Sequence, residues 1–313
     1  MKHLTRRIFS VSVFPVVMTA AVAGALALMH RGIEPATAIA APVVASFVFI
    51  LVFERIFPYQ RSWLRSRGDV PVDAAFAVTD FFVERVVQLL VAPAAAAAGG
   101  WLTMTIGAGL WPHRWPLVAQ LALALVFAEL FKYWGHRLMH EWDWLWRFHA
   151  VHHSVPRLYW LNASRFHPVD IGIDTVLGVS SLALVGCSPQ VVALFLLVTA
   201  VHGFFQHCNL ELRLGPLNWF FSMAELHRWH HSRTVAEANN NYGNNVIVWD
   251  VVFGTRFLPA DREPPEDVGL CDLPTFPMTF AAQMAAPFRW REIKADSAAA
   301  VAGSASGVAT QDA

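Results

Sequence analysis

Charged residues are scarce in this sequence. Asp, Glu, Lys and Arg together make up 15% of its 313 residues, whereas an ordinary soluble domain has about 25%. Hydrophobic types make up 56%, and the mean hydropathy is +0.42. Acidic and basic residues are equal in number, so no net charge attracts the chain to nucleic acid. The composition argues against nucleic-acid binding and favours an integral membrane protein.

Cysteine is nearly absent as well. The three cysteines, Cys187, Cys208 and Cys271, include no CxxC pair, so neither a disulfide framework nor an iron–sulfur cluster is indicated. The sequence also lacks a GxGxxG segment, which marks dinucleotide-binding sites, and a haem-binding His-Pro-Gly-Gly segment. An enzyme with this sequence would need a separate donor for any electrons that it consumes.

Long apolar runs are present instead. They cover residues 11–29, 36–53, 76–110, 117–134 and 171–205. A helix needs about 20 apolar residues to cross a bilayer, so several of these runs predict single spans. The first run resembles a signal peptide in its basic flank, but it is longer than the roughly 7–15 apolar residues of such a leader, which favours a spanning helix.

Turn-forming residues interrupt the two longest runs. The third run contains Pro93 and a glycine pair that begins at Gly99, so we expect a break in its helix. The fifth run contains Gly186-Cys-Ser-Pro, which predicts a helical hairpin with arms over 171–185 and 190–207. The predicted fold is therefore all-α: a membrane bundle of about four spanning helices and this hairpin, with a cytosolic helical cap.

The arginines predict the orientation of this bundle. The loop over residues 54–73 carries four arginines, and the links over 30–35 and 111–116 carry one each. Because basic loops stay in the cytoplasm, the first loop is predicted inside and the two links outside. Everything after residue 207 then lies on the cytoplasmic side.

Three regions are expected along the chain. Residues 1–110 form an N-terminal transmembrane region without a recognisable motif, residues 111–260 a catalytic domain, and residues 261–313 a cytosolic tail. From Ala295 onward the tail is rich in Ala, Ser and Gly, which predicts disorder.

The histidines carry the clearest functional signal. Eleven of the 14 lie between residues 136 and 231, and eight of these form an HxxxH segment and two HxxHH segments. The eight are His136, His140, His149, His152, His153, His227, His230 and His231. Residues three or four apart share one face of a helix, so each segment predicts a set of neighbouring imidazoles.

Shared metal ions are the best explanation for this pattern. A buried imidazole without a partner costs about 1–3 kcal/mol, and a metal supplies that partner. A first-row ion takes about four to six ligands, so the eight rings indicate two ions. Neutral nitrogen ligands suit Fe, Zn, Cu or Ni. The chain has neither the HExxH of zinc proteases nor the ExxH of carboxylate-bridged di-iron bundles.

The three histidine segments, on a chain with membrane helices, resemble the fatty acid hydroxylase superfamily, which includes the sterol desaturases. The resemblance covers about residues 127–257. Further matching segments are Arg165-Phe-His-Pro168, Gln206-His-Cys-Asn209, Asn241-Tyr-Gly243 and Trp249–Thr255. The resemblance implies two iron ions held by the histidines, with O2 as co-substrate. It also implies hydroxylation or desaturation of an unactivated C–H position of a lipid, which is fatty acyl, sterol-like or ether-linked.

The resemblance also suggests further metal ligands. His207 matches a histidine that completes the metal site in the family. His202 lies five residues earlier on the same helix, so its ring points about 140° away. His167 matches a segment found in many relatives, where it either binds metal or orients a ligand. The predicted metal ligands thus comprise the eight segment histidines with His207, His202 and His167.

Four polar residues near the third segment have more than one interpretation each. Asn241, Asn244 and Asn245 would orient a metal-bound water or form a polar turn. Asp250 would brace a histidine ring, cap a helix or form an ion pair.

The partners implied are the bilayer, a lipid substrate and a separate electron donor, such as a ferredoxin, a cytochrome or a reductase, docking on the cytoplasmic face. Two other functions are compatible with the histidines. One is a zinc-dependent membrane hydrolase, which would need neither O2 nor a reductant. The other is a metal-handling membrane protein, which would need a polar path through the bilayer.

Overall fold

The protein is described by a computed structural model that covers residues 2–107 and 109–309. These residues form helices and loops, with no β-strand among them. The helices are α1 (Lys2–His30), α2 (Pro35–Ala38), α3 (Ala40–Ile56), α4 (Val70–Ile106), α5 (Leu117–Glu141), α6 (Asp143–His153), α7 (Pro168–Leu184), α8 (Pro189–His207), α9 (Ala224–His230), α10 (Val235–Ala238), α11 (Val248–Phe253), α12 (Phe280–Ala285) and α13 (Trp290–Ala309).

Five stretches are long and apolar enough to cross a membrane. They are Leu4–His30, Pro35–Ile56, Val70–Ile106, Leu117–Glu141 and Pro189–His207. Many large apolar side chains on them are exposed, including Leu89 and Leu90 at 74% and 71%, as expected for helices that face lipid. The protein is therefore a multi-pass membrane protein, and the predicted all-α membrane bundle is confirmed, whereas the cytosolic placement of the helical cap stays a prediction.

Helix α4 corrects the predicted break in the third run. It continues without interruption for 37 residues through Pro93, because a proline in a membrane helix removes one N–H bond without ending the helix. Gly99 serves packing instead. A Cβ atom there would lie 2.2 Å from the carbonyl oxygen of Leu184, so the missing side chain lets α4 touch the end of α7.

The hairpin predicted from the fifth run is confirmed. Helices α7 and α8 are its arms, and Gly186 adopts the positive φ of 79° that the turn requires. Ser188 then caps α8, since its side chain accepts a hydrogen bond from the backbone N–H of Val191. The tip of the hairpin lies beside Gly99 of α4.

The chain gathers its histidines at one end of the bundle, which we call the histidine end. Helix α5 reaches it with His136 and His140, and α8 reaches it with His207. The loop after α3 lies at the same end, because the backbone N–H of Tyr59 donates to the carbonyl of Asn209 at 2.9 Å. All of the histidine segments thus share an end with the arginine-rich loop.

The C-terminal segment differs from its prediction. Helix α13 extends from Trp290 to Ala309 and covers most of the stretch in which disorder was expected from Ala295 onward. Alanine has the highest helix propensity, so an Ala-rich tail continues a helix that the packed Trp290 and Ile293 begin. Residues 310–313 lie outside the described residues, and the division of the chain at residues 110 and 260 stays a prediction.

The contact between α4 and α7 leads to a stability prediction. We expect Gly99→Ala to destabilise the protein by about 1–3 kcal/mol, because the new methyl group displaces backbone atoms. Gly100→Ala is the matched control, since a Cβ atom there meets nothing within 4 Å. Thermal denaturation of both variants in detergent measures the difference, and equal melting temperatures would contradict the packing described.

Candidate metal centre

Nine histidines converge into two neighbouring groups. In each group one ring nitrogen from every histidine lies within 4.8 Å of the others. The five-histidine group consists of His136, His140, His149, His153 and His230. The four-histidine group consists of His152, His207, His227 and His231. The three sequence segments and His207 are thus brought together, although they come from four separate helices.

Helix periodicity distributes each HxxHH segment over both groups. On α6, His149 and His153 are one turn apart and enter the five-histidine group, while His152 between them enters the other. Helix α9 does the reverse, because His227 and His231 enter the four-histidine group and His230 the other. Each of these helices therefore links two sites, which fits two ions better than one.

Hydrogen bonds orient most of the rings. His136 Nδ1 lies 2.7 Å from the carbonyl oxygen of Tyr242, and His149 Nδ1 lies 2.8 Å from Asp170 Oδ2. These oxygens only accept hydrogen bonds, so Nδ1 carries the proton and Nε2 keeps a free lone pair. Nδ1 faces an oxygen acceptor in four further rings. The acceptors are the side-chain oxygen of Asn239 for His140, the carbonyl of Arg165 for His152, the side-chain oxygen of Asn162 for His207 and the carbonyl of Asn240 for His230.

The Nε2 atoms then face one another. His136 Nε2 lies 3.0 Å from His149 Nε2 and 3.1 Å from His230 Nε2. In the four-histidine group, His227 Nε2 lies 2.8 Å from His207 Nε2 and 3.0 Å from His231 Nε2. Lone pairs repel at these separations unless a cation lies between them. Nitrogens bound at about 2.1 Å and at right angles around one ion are about 3.0 Å apart, so the rings fit metal ions.

Burial keeps five of the rings uncharged. It lowers the pKa of His230 to about 3, and it lowers the pKa values of His152, His153, His227 and His231 well below their usual range. A protonated imidazole has no lone pair for a metal. Neither group contains a carboxylate among the described residues, so both offer neutral nitrogen, a donor that suits iron, zinc, copper and nickel.

Two of the predicted ligands lie outside both groups. His202 is fully buried on α8 and packs edge-on against Phe14, with ring centroids 5.7 Å apart. His167 precedes α7, where its Nδ1 accepts a hydrogen bond from the backbone N–H of Val169 at 3.2 Å. The structure therefore places His202 in an apolar core and His167 at a helix cap.

The Asn241–Asn245 loop positions His136 from behind. Asp250 accepts the backbone N–H groups of Tyr242 and Gly243, both at 2.8 Å. Buried Glu129 accepts the N–H of Asn244 and that of Asn245. The asparagines thus form a polar turn, one of their two predicted roles, and Asp250 holds this turn without touching a histidine ring.

The residues that orient the rings were largely missed by the sequence analysis. Asp170 follows His167 by three residues and Asn162 lies in a short 3₁₀ helix, so neither spacing suggests a contact with His149 or His207. Glu129 lies seven residues before His136, which places the two on one face of α5. That spacing is the one available signal, and it would have identified Glu129 alone.

A cavity of about 490 Å³ leads to both groups. Its walls come from α3, α4, α5, α7 and α8, and they include apolar side chains such as Val43, Phe195 and Leu196. His136 and His149 of the five-histidine group line it, as do His152, His207 and His227 of the four-histidine group. A molecule in this cavity would lie between the membrane helices and touch both groups.

The sequence matches a known protein family and is similar to known proteins. Residues 121–255 match the fatty acid hydroxylase family. The chain is 38% identical over 250 residues to the ornithine lipid hydroxylase OlsE of Rhizobium tropici. The aligned region covers 78% of this chain and 74% of that protein. No solved structure matches the chain.

Two other relatives are matched over shorter stretches. Alkylglycerol monooxygenase of Danio rerio is 34% identical over 140 residues, 45% of this chain and 31% of that protein. The very-long-chain aldehyde decarbonylase GL1-8 of Oryza sativa subsp. indica is 29% identical over 150 residues, 46% of this chain and 54% of that protein. The chain thus spans less than two thirds of the length of these two proteins.

The positions of His207 and His202 lead to a paired prediction. We expect His207→Ala to lower the metal content of the purified protein, because it removes a nitrogen from the four-histidine group. His202→Ala should retain most of the metal. It is a matched control, since both rings are buried on α8. Elemental analysis measures the contents. An equal loss in both variants would mean that His202 binds metal and that α8 unwinds near Gly203.

Proposed function

Because the chain belongs to the fatty acid hydroxylase superfamily, we propose that it is a membrane oxidoreductase that uses O2 to hydroxylate or desaturate an unactivated C–H position of a lipid. One observation carries the proposal: the cavity between the membrane helices is lined by histidines of both groups. A lipid chain can enter such a cavity without leaving an apolar environment. The reacting carbon would then lie beside the metal ligands.

The nine histidines would hold two iron ions, one in each group. When bound, such ions would activate O2, with two electrons and two protons consumed, to form either an alcohol and one water or an alkene and two waters. The protein supplies the environment for this chemistry. Asp170 and Asn162 keep the rings of His149 and His207 oriented. Loss of such a contact typically lowers the metal affinity by about 10–100-fold.

The relatives support a lipid substrate but no single class. By their names, they act on an ornithine lipid, an alkylglycerol and a very-long-chain aldehyde. All three substrates have a long apolar chain, and the cavity walls include apolar side chains from α3 and α8. We therefore propose a lipid substrate on these grounds.

The electrons would come from a separate protein. The sequence has no cysteine cluster and no dinucleotide fingerprint, and O2 chemistry at two iron ions needs a reductant. We propose that a ferredoxin, a cytochrome or a reductase docks at the histidine end. The four arginines in the 54–73 loop lie at that end and favour its placement in the cytoplasm.

The metal and the reaction can be tested together. Protein purified without O2 should contain two iron atoms per chain. With a chemical reductant and membrane lipids, it should take up O2 and form a lipid alcohol that carries 18O from 18O2, or an alkene. His230→Ala and His152→Ala should each lose at least one iron atom, and His167→Ala, outside both groups, should lose none. Zinc as the sole bound metal, with no O2 uptake, would instead support a hydrolase.

The orientation has its own test. In a Cys271→Ser background, which removes the exposed native thiol, cysteines at Ser66 and Thr234 should react only with reagents that reach the cytoplasm. A cysteine at Ile33, at the link between α1 and α2, should react from the outside. The reason is the excess of arginine in the 54–73 loop. Labelling of Thr234→Cys from outside would place the histidine end on the opposite face of the membrane.

A further inference from the structure

A stripe of polar residues follows α4 into the membrane region. Asp80, Glu84 and Gln88 are four residues apart, so they lie on one face of the helix, and all three line the cavity that leads to the histidines. Ionisable residues inside a membrane span are costly, and they commonly mark a substrate or ion pathway. Within the described part of the chain, no hydrogen bond joins a side chain of this stripe to a histidine ring.

Asp80 is the most unusual member of the stripe. Its side chain is only 3% exposed. Oδ2 accepts the backbone N–H of Phe166 at 3.2 Å, but Oδ1 has no hydrogen-bond partner among the described residues. A buried carboxylate oxygen without a partner is strongly unfavourable. A bound molecule in the cavity that offers a donor would supply the missing contact.

The charges that line the cavity indicate the kind of donor. Four carboxylates line it, those of Asp80, Glu84, Asp170 and Asp174, against two cationic side chains, Lys132 and Arg85.

Contacts with neighbouring side chains account for two of these four carboxylates. Lys132 pairs with Asp174 at 2.9 Å, and Asp170 is bonded to His149. Exposed Arg85 donates to Gln88 rather than to a carboxylate. No cationic side chain within the described residues forms an ion pair with Asp80 or Glu84.

Asp80 lies close to the candidate metal centre, and Glu84 lies about one turn further along α4. The backbone N–H that Asp80 accepts belongs to Phe166, whose ring stacks on the His152 ring with centroids 4.2 Å apart, and Asp170 orients His149 of the five-histidine group. The same cavity contains Asp80, Glu84 and His149. A group bound at Asp80 would therefore lie at the histidine end of the cavity rather than at its apolar walls.

We propose that Asp80 and Glu84 bind a positively charged group of the lipid substrate, a protonated amine. The ammonium has three donors, enough to reach Asp80 Oδ1 and the Glu84 carboxylate together. Its charge offsets the excess of carboxylates in a region from which water is largely excluded. This inference rests on the proposed function only in calling the bound lipid a substrate, and it narrows the lipid class to those with an amino group.

Binding of paired probes to the full-length protein in uncharged detergent tests the proposal. Hexadecylamine carries the charge, and N-acetylhexadecylamine has the same chain without it. Thermal stabilisation as a function of probe concentration measures apparent affinity. We expect the wild-type protein to prefer the amine, and Asp80→Asn to bind the amine at least about ten-fold more weakly while binding the acetylated probe as before.

The variants separate recognition from folding. Asparagine at position 80 keeps an oxygen to accept the N–H of Phe166, so a merely structural role would leave the preference for the amine unchanged. Asp272→Asn is the matched control, because it removes the same charge at an exposed position outside the cavity. If Asp80→Asn fails to fold, Glu84→Gln decides by the same measurement.

The outcomes of this test and of the function test are distinct. Equal binding of both probes by the wild-type protein, or an undiminished amine preference in both cavity variants, would overturn the proposal. Iron-dependent lipid oxidation without any amine preference would leave the proposed function standing and the amine site refuted. Amine-selective binding that Asp80→Asn abolishes, in a protein that takes up no O2, would support the amine site and refute the proposed function.

Discussion

The architecture depends on keeping nine imidazoles close together with their Nε2 lone pairs turned inward. Such an arrangement is unfavourable by itself, because lone pairs at about 3 Å repel and buried rings lose their contacts with water. Six of the nine rings are held at Nδ1 from behind, as the carbonyl of Tyr242 and the carboxylate of Asp170 do for His136 and His149. Positioning these acceptors is the task that the rest of the histidine end performs.

Carboxylates on the membrane helices secure the loops that carry those acceptors. Glu54 of α3 accepts the N–H groups of Trp160 and Asn209 at 2.9 and 2.8 Å. Asp73 of α4 bonds to Arg165, whose carbonyl oxygen accepts from His152. Glu129 of α5 performs the same task for the Asn241–Asn245 loop. Buried charges of this kind add little net stability, but each one couples a spanning helix to one part of the site.

The cavity connects this framework to a membrane substrate. One wall is apolar, as lipid chains require, whereas the α4 wall carries Asp80 and Glu84 close to the histidines. A long amphipathic molecule therefore meets unlike surfaces along its length, and its position in the cavity is determined by both. In the proposed reaction, this placement would select the carbon that lies beside the metal ligands.

Local patterns in the sequence were sufficient for the helices and for the histidine pairs within each helix. The i, i+4 spacing of His136 and His140 and the turn at Gly186 depend on backbone geometry over a few residues, so they can be read without knowing the partners. The family resemblance identified His207 in the same way, from a motif. The predictions at Pro93 and in the Ala-rich tail were wrong, because a membrane helix tolerates a proline and because the helix propensity of alanine outweighs a composition typical of disorder.

Contacts between distant segments were decided by the tertiary structure alone. The assignment of His152 to one group and of His149 to the other depends on how α6 packs against α5 and α7, since this packing decides which rings of α8 and α9 its histidines meet. The contacts of Asp170 with His149 and of Asn162 with His207 join segments about 20 to 45 positions apart, and no periodicity relates such positions. Exclusion of His202 and the unpartnered oxygen of Asp80 likewise follow from packing, because a side chain's surroundings depend on the helices that cover it.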